Sequence, residues 1–170
     1  PNEIYTVSEV DPGVRWQTGA ISCLVNGKPV DDRDPNAAGF QVNVTAGSTV
    51  ACTITNRYIP EPARIEVTKL VSGTNVTQWS FQFTLDGARA VTATNSVPTV
   101  GWDGLEPNRT YTLAEVDPGT AWDVGKFICV VGGQTLPDAN PNKAGFQANV
   151  KPGDDVACRI TNSKVGGSGL

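Results

Sequence analysis

The segment WSFQFTLDG, residues 79–87, alternates apolar and polar side chains and ends in an Asp-Gly turn. Because successive side chains of a β-strand point to opposite sides, its aromatic and leucine residues share one face. This pattern predicts a half-buried strand followed by a tight turn. Outward from it, short runs of strand character separated by turn residues recur at 63–71, 88–95, 99–105, 110–117, 126–131, 144–150 and 155–162. No run has the period of a helix, so we expect an all-β fold, an antiparallel β-sandwich.

The chain repeats itself at an offset of 106 residues, and 30 of the first 56 positions are identical to their partners. Tyr5–Gly13 (YTVSEVDPG) matches Tyr111–Gly119 (YTLAEVDPG), and VACTITN at 50–56 matches VACRITN at 156–162. Residues 59–106 have no earlier counterpart. A tandem repeat with a truncated first copy is therefore expected. The expected parts are the C-terminal half of a domain at 1–59, a complete domain at 60–164 and a flexible tail at 165–170.

The composition argues against several classes of function. The net charge is -4 and there is no basic patch, which argues against nucleic acid as a partner. Histidine is absent, which removes the commonest metal ligand and general base. No apolar run has membrane-spanning length. We expect no metal, no cofactor, no membrane span in this fragment and no conventional enzyme activity.

Four cysteines fall as two per repeat at equal spacing. The even count at a repeated spacing predicts the disulfides Cys23–Cys52 and Cys129–Cys158, and hence an exported protein. Four reduced, buried thiols are the alternative. A metal site is disfavoured because each pair lacks a histidine.

Strand parity places three polar residues on the apolar side of their strands. Lys69 shares the face of Ile65 and Val67, Glu115 continues the inward set of its strand, and Asn162 does the same in the last strand. Burying any one of them alone would cost several kcal/mol, on the order of a lost hydrogen bond or more. The three residues are therefore expected either to satisfy one another or to react.

The chemistry that these groups offer is amide formation. Burial lowers the pKa of a lysine and raises that of a glutamate, and a neutral amine is a nucleophile. Lysine can attack the asparagine side-chain carbonyl while glutamate shuttles protons and ammonia leaves. The alternatives are a buried Lys–Glu pair with asparagine as a hydrogen-bond partner, or strand ends that reach solvent.

The segments VTKL at 67–70, YTLAE at 111–115 and ITN at 160–162 resemble, in order and spacing, the collagen-adhesin B-type (Cna-B, SpaA-like, prealbumin-like) domains. These occur in surface adhesins and pilins of Gram-positive bacteria. The resemblance implies a spontaneous isopeptide bond with Lys69 as nucleophile, Asn162 as electrophile and Glu115 as catalyst. It also implies an Ig-like or prealbumin-like stalk domain on the bacterial cell surface. The paired cysteines resemble disulfide-bearing versions in actinobacterial surface proteins.

The first copy contains Glu9 and Asn56 but no counterpart of Lys69. We expect exposed strand edges and an acceptor, Asn56, that needs a strand- and lysine-donating partner, with Glu9 as catalyst. The missing half could lie on a separate chain, come from a neighbouring molecule, or have been omitted by design so that a supplied segment ligates. A second class of function is a carbohydrate- or matrix-binding β-sandwich of a secreted protein with a host matrix ligand, which an exposed aromatic strip would favour. Trp16 and Trp122 could form a carbohydrate platform, but a core or turn-packing role is favoured because both copies hold them.

Overall fold

The computed structural model describes residues 2–165. Two compact units divide them: the first ends at Pro60 and the second begins at Glu61. The described residues contain strands and turns but no helix, and hence no helix that could cross a membrane. Of the tail expected at 165–170, Val165 donates its backbone N–H to the Ala121 carbonyl, and the remainder lies outside the described residues.

The strands are short, as the spacing of turn residues dictates. In the first unit they are β1 (Glu3–Val7), β2 (Trp16–Gln17), β3 (Ile21–Val25), β4 (Lys28–Val30), β5 (Phe40–Val44), β6 (Val50–Ile54) and β7 (Arg57–Tyr58). In the second unit they are β8 (Ala63–Ser72), β9 (Ser80–Leu85), β10 (Arg89–Thr94), β11 (Thr99–Leu105), β12 (Arg109–Glu115), β13 (Trp122–Val124), β14 (Ile128–Val131), β15 (Gln134–Leu136), β16 (Phe146–Val150) and β17 (Asp155–Lys164).

The second unit is the predicted β-sandwich. One sheet has the order β11-β8-β17-β14-β15, with β13 also paired to β17, and the other has the order β10-β9-β12-β16. Pairs are antiparallel except that of the first strand, β8, with the last strand, β17, which is parallel. This parallel pair extends from Arg64 opposite Asp155 to Ser72 opposite Ser163. The two ends of the unit therefore lie side by side in the middle of one sheet.

The core of the second unit lies between the two sheets and follows the alternation seen in the sequence. Phe83 and Leu85 of β9 are buried, as are Ile65 and Val67 of β8 and Leu113 of β12. Each contributes a side chain to one apolar cluster that also contains the Cys129 and Cys158 sulfurs. Inward side chains thus follow the predicted parity on all three strands.

The first unit has a smaller core and three small sheets, β1-β5, β4-β3-β6 and β2-β7. Its buried apolar residues are Cys23, Phe40 and Val42. Among the described residues, β1 pairs only with β5, and β6 pairs only with β3. Within the described residues, each of these two strands is therefore paired along one edge.

The observed strands differ from the predicted runs mainly at their ends. The run predicted at 110–117 ends at Glu115, where the Asp-Pro-Gly turn begins to form, and the run predicted at 144–150 begins at Phe146. Gly145 before it has a φ of 82°, in the left-handed region, so it belongs to the turn. Two strands, β13 and β15, were not predicted because each has only three residues and too little alternation to be recognised.

Candidate functional site: a buried lysine, glutamate and asparagine

The second unit buries Lys69 in the middle of its apolar core. Lys69 lies on β8 opposite Ile160 of β17, and its side chain is 0% exposed. Its inward direction follows from parity, because Ile65 and Val67 on the same face are also buried. A lysine is almost never fully buried without a partner. The alternative in which this strand end reaches solvent does not apply here.

Glu115 supplies that partner from the opposite sheet. It is the last residue of β12, pairs with Phe83 of β9, and directs its carboxylate across the sandwich. Lys69 Nζ donates to Glu115 Oε1 at 2.6 Å, and the Glu115 side chain is 3% exposed. A charge-assisted hydrogen bond of this length in a dry environment is strong.

Asn162 completes the cluster from β17. It is fully buried, and its Nδ2 donates to Glu115 Oε1 at 3.1 Å and to Oε2 at 3.0 Å. The parallel register puts Asn162 two residues beyond the partner of Lys69, so both side chains lie on the inward face of neighbouring strands. Glu115 therefore bridges the amine and the amide.

Two aromatic rings enclose the amine. Lys69 Nζ lies 4.2 Å from the centroid of the Phe81 ring and 5.8 Å from that of Phe83. Burial lowers the pKa of Lys69 from its ordinary value of 10.5, while the hydrogen bond and the negative charge of Glu115 act in the opposite direction. Burial thus weakens the hold of the Lys69 amine on its proton, and the 2.6 Å hydrogen bond directs that proton toward Glu115 Oε1.

Asn162 Oδ1 is buried and has no hydrogen-bond partner within the described residues. A buried carbonyl oxygen without a hydrogen-bond donor costs free energy, so this orientation of the amide is unfavourable. A half-turn of the amide would direct Oδ1 toward Glu115, where a protonated carboxyl could donate to it. Such a proton polarises the carbonyl toward attack by a neutral amine.

Two backbone features hold Asn162 in place. Gly125 approaches so closely that a Cβ added there would lie 2.2 Å from the Thr161 carbonyl oxygen, and its N–H donates to that oxygen. The predicted disulfide Cys129–Cys158 is present and joins β14 to β17 at directly opposed residues. Both contacts anchor the part of β17 that directly precedes Asn162.

The first unit holds an equivalent pair without a lysine beside it. Asn56 Nδ2 donates to Glu9 Oε1 at 2.5 Å, while Glu9 Oε2 is buried and has no hydrogen-bond partner. The predicted disulfide Cys23–Cys52 is also present, joining β3 to β6. Gly19, like Gly125, lies against the backbone before the asparagine, because a Cβ there would meet the Thr55 carbonyl oxygen at 1.8 Å. The described residues of this unit therefore build two of the three groups.

The tryptophans behave differently in the two units. Trp122 packs edge-on against Phe81 with ring centroids 5.0 Å apart, which is a core role. Trp16 is 44% exposed and contacts Tyr58 with ring centroids 5.2 Å apart. Among the described residues, no group of three or more His, Cys, Asp or Glu side chains could hold a metal ion.

Three contributors to the site were not assigned from the sequence. Phe81 and Phe83 were expected only as core residues, although their place on the inward face of WSFQF put them near Lys69. Gly125 was not singled out. The sequence offers one sign of its importance. Glycine occupies the same position in both copies, Gly19 and Gly125, whereas most adjacent positions differ between the copies.

No protein-family model and no curated protein matches the chain. Solved structures of major pilins from Streptococcus pyogenes do match it. The T-13 pilin has 16% identity over 95% of this chain and 66% of its own, with a TM-score of 0.45. The T3.2 pilin has 16% identity over 95% and 67%, with a TM-score of 0.42. A further major pilin has 18% identity over 96% and 70%, with a TM-score of 0.37.

The chain thus spans about two thirds of the length of the pilin chains that it matches. At this identity and with TM-scores below 0.5, the likeness carries no argument about this chain, and the chemistry of the site depends on its own geometry.

Proposed function

We propose that the second unit, which corresponds to the complete domain predicted at 60–164, is a stalk domain of a bacterial surface or pilus-like protein, closed by an autocatalytic isopeptide bond between Lys69 and Asn162. The observation that carries the proposal is the fully buried Lys69, hydrogen-bonded to Glu115, which in turn accepts from Asn162. A buried lysine and carboxylate are costly in an apolar core, and amide formation replaces the amine with a neutral group. The protein is a single-turnover catalyst of its own crosslink, not an enzyme that acts on other molecules.

The reaction proceeds with a balanced exchange of one bond for another. Glu115 accepts a proton from the Lys69 ammonium, and the neutral Nζ attacks Asn162 Cγ. A bond forms between Nζ and Cγ, the bond between Cγ and Nδ2 breaks, and ammonia leaves with protons returned through Glu115. The Phe81 and Phe83 rings exclude the water that would otherwise solvate the ammonium.

The position of this bond suits a domain under tension. β8 and β17 are parallel neighbours, so force applied at the start of β8 and the end of β17 shears the hydrogen bonds between them. A bond from Lys69 to Asn162 transmits that force directly between the strands and leaves residues 70–161 unloaded. It also closes a loop of about 90 residues, which stabilises the folded state by roughly 4–5 kcal/mol in loop-closure terms.

An intact-mass measurement tests the proposal. The crosslinked protein should be about 17 Da lighter than its sequence, one ammonia, after allowing about 2 Da for each disulfide. Fragmentation should yield a peptide pair joined at Lys69 and Asn162. Asn162→Ala should abolish the loss, whereas Asn149→Ala, at an exposed position of β16, should retain it. A full sequence mass in the folded wild-type protein would overturn the proposal.

The same chemistry extends, in this proposal, to the first unit. Glu9 and Asn56 are an acceptor half-site, and a lysine from a partner segment completes it. The support is the Asn56–Glu9 hydrogen bond together with the unpartnered, buried Glu9 Oε2, which lacks a donor such as an amine. Asn56→Ala should prevent any covalent adduct at this unit and leave the bond of the second unit intact.

A further inference from the structure

A cleft in the second unit connects the surface with the carboxylate of the reactive cluster. It has a volume of about 690 Å³ and is lined by the end of β12, by β14 and by the loop that leads to β16. Its walls extend from the exposed Thr135 and Pro141 to the buried Phe146 and Ile160. Of the three reactive residues, Glu115 lines the cleft, whereas the lysine and the asparagine do not.

The first unit has the same cleft, with a volume of about 490 Å³. Each of its ten lining residues lies 106 positions before a residue that lines the cleft of the second unit. Glu9 occupies the position of Glu115. Small residues stand at the same places beside the carboxylate in both units, namely Gly19, Ala38 and Gly39 in the first and Gly125, Ala144 and Gly145 in the second.

The loop that forms one wall of the cleft is fixed by an aspartate in both units. Asp138 Oδ1 accepts the backbone N–H groups of Asn140 and Gln147 and thereby ties the loop to the start of β16. Asp32 makes the two equivalent bonds in the first unit. The cleft is therefore built by hydrogen bonds that both units repeat, and it is not an accidental gap in the packing of one of them.

The cleft lies beside the nitrogen that the crosslinking reaction expels. Asn162 Nδ2 is 3.1 Å from Glu115 Oε1 and 3.0 Å from Oε2. Other directions around the cluster are closed, because the Phe81 ring covers the Lys69 amine at 4.2 Å and because β8 and β14 flank the strand that carries Asn162. A nitrogen released from Asn162 thus finds the residue that lines the cleft next to it.

We infer that the cleft is a product site, which takes the ammonia released from Asn162 and leads it past Glu115 to solvent. The inference rests on the isopeptide reaction proposed above. In that reaction the bond between Lys69 Nζ and Asn162 Cγ forms and the bond between Cγ and Nδ2 breaks. The lysine ammonium gives up two protons, of which one goes to the leaving nitrogen and the other to Glu115.

The product is accordingly neutral ammonia, which enters an apolar passage at a lower cost in desolvation than an ammonium ion does. The inner walls of the cleft are apolar, since Phe127, Phe146 and Ile160 line it. Departure through the cleft removes ammonia from the new amide, so that it cannot attack the carbonyl carbon and reverse the reaction.

The test narrows the cleft and follows the loss of about 17 Da in newly synthesised protein by mass spectrometry. Ala144 is exposed and lines the cleft, so Ala144→Trp should slow the loss by about tenfold and Ala144→Leu by less. Ala139→Trp is the matched control. Ala139 is an exposed alanine of the same loop that does not line the cleft, and its variant should react at the wild-type rate.

Stability is measured separately in the Asn162→Ala background, where no crosslink forms. Equal urea midpoints for Ala144→Trp and Ala139→Trp, together with slower ammonia loss in the Ala144 variants alone, support the product site. A lower midpoint for Ala144→Trp combined with a wild-type rate for Ala144→Leu would assign the slowing to lost stability and overturn it.

The inference and the proposed function fail in different ways. A wild-type protein that keeps its full sequence mass overturns the isopeptide bond itself. A wild-type protein that loses ammonia, with Ala144→Trp and Ala139→Trp reacting equally fast, leaves the isopeptide bond in place and overturns the exit through the cleft.

Discussion

Lys69 and Glu115 reach each other from the two opposite sheets of the sandwich and form a 2.6 Å hydrogen bond where both side chains are almost fully buried. A single buried pair of this kind contributes little net stability, because desolvation offsets most of the attraction. In the function that we propose, the role of the pair is chemical. The carboxylate that neutralises the lysine also contacts Asn162, so the groups needed for amide formation are assembled by folding itself.

Removing the carboxyl should stop the crosslink. In Glu115→Gln, the side chain keeps its shape but cannot accept and return a proton, so we expect the full mass with no ammonia loss. The buried lysine also loses its charge partner, which costs about 3–5 kcal/mol in addition to the lost bond. Intact mass and thermal unfolding measure the two effects. Glu106→Gln, at an exposed glutamate, should leave both unchanged.

The sequence alone could predict the site because parity is a strict rule. Lys69, Glu115 and Asn162 each extend an apolar series by two positions, and the structure buries all three. Sequence could not indicate which sheet each strand joins, so the approach of Glu115 across the sandwich had to come from the structure. Gly125 was missed because its importance arises from a close contact with the Thr161 carbonyl, which lies far away in sequence.

Stability should depend on pH when Lys69 remains unbonded. In Asn162→Ala the amine stays free, and burial holds its pKa below the ordinary 10.5 in the folded state. Between that lowered pKa and 10.5, the unfolded chain binds more protons, so the free energy of unfolding rises with pH in this window. Urea unfolding at several pH values measures the slope. The double variant Lys69→Met/Asn162→Ala should lack this rise, and an equal slope in both would contradict the assignment to Lys69.

The second unit should survive loss of its disulfide but become less stable. Cys129–Cys158 closes a loop with a sequence separation of 29. Its removal by Cys129→Ala/Cys158→Ala should lower the free energy of unfolding by about 3–4 kcal/mol in loop-closure terms. Because Lys69 and Asn162 lie on the directly paired strands β8 and β17, the ammonia loss should still occur. Denaturant unfolding and intact mass together separate the two crosslinks, and a double variant without the ammonia loss would show that the isopeptide requires the disulfide.

The Phe81 ring that covers the Lys69 amine should control the rate of the proposed isopeptide formation. Phe81 covers the Lys69 amine at 4.2 Å and supports Trp122. Phe81→Ala should cost about 3–5 kcal/mol of stability and admit water to the amine, which would slow the ammonia loss measured by mass spectrometry of newly synthesised protein. Phe81→Leu keeps most of the volume and should destabilise less. If a newly made Phe81→Ala protein crosslinks as fast as the wild type, exclusion of water by this ring does not contribute to the rate.

Gly125 should act as a positioning residue for Asn162. A methyl group at this place would lie 2.2 Å from the Thr161 carbonyl oxygen, so Gly125→Ala must displace the backbone next to the electrophile. We expect slower crosslinking, followed by mass spectrometry of newly synthesised protein, because reactive groups must be held within a fraction of an ångström. Gly87→Ala is the matched control, because Gly87 has a φ of 73° but open space around an added Cβ. This variant should lose about 1 kcal/mol of stability through backbone strain alone and crosslink at the wild-type rate. Equal slowing in both variants would attribute the effect to lost stability, whereas slowing confined to Gly125→Ala would identify the contact with Thr161 as its cause.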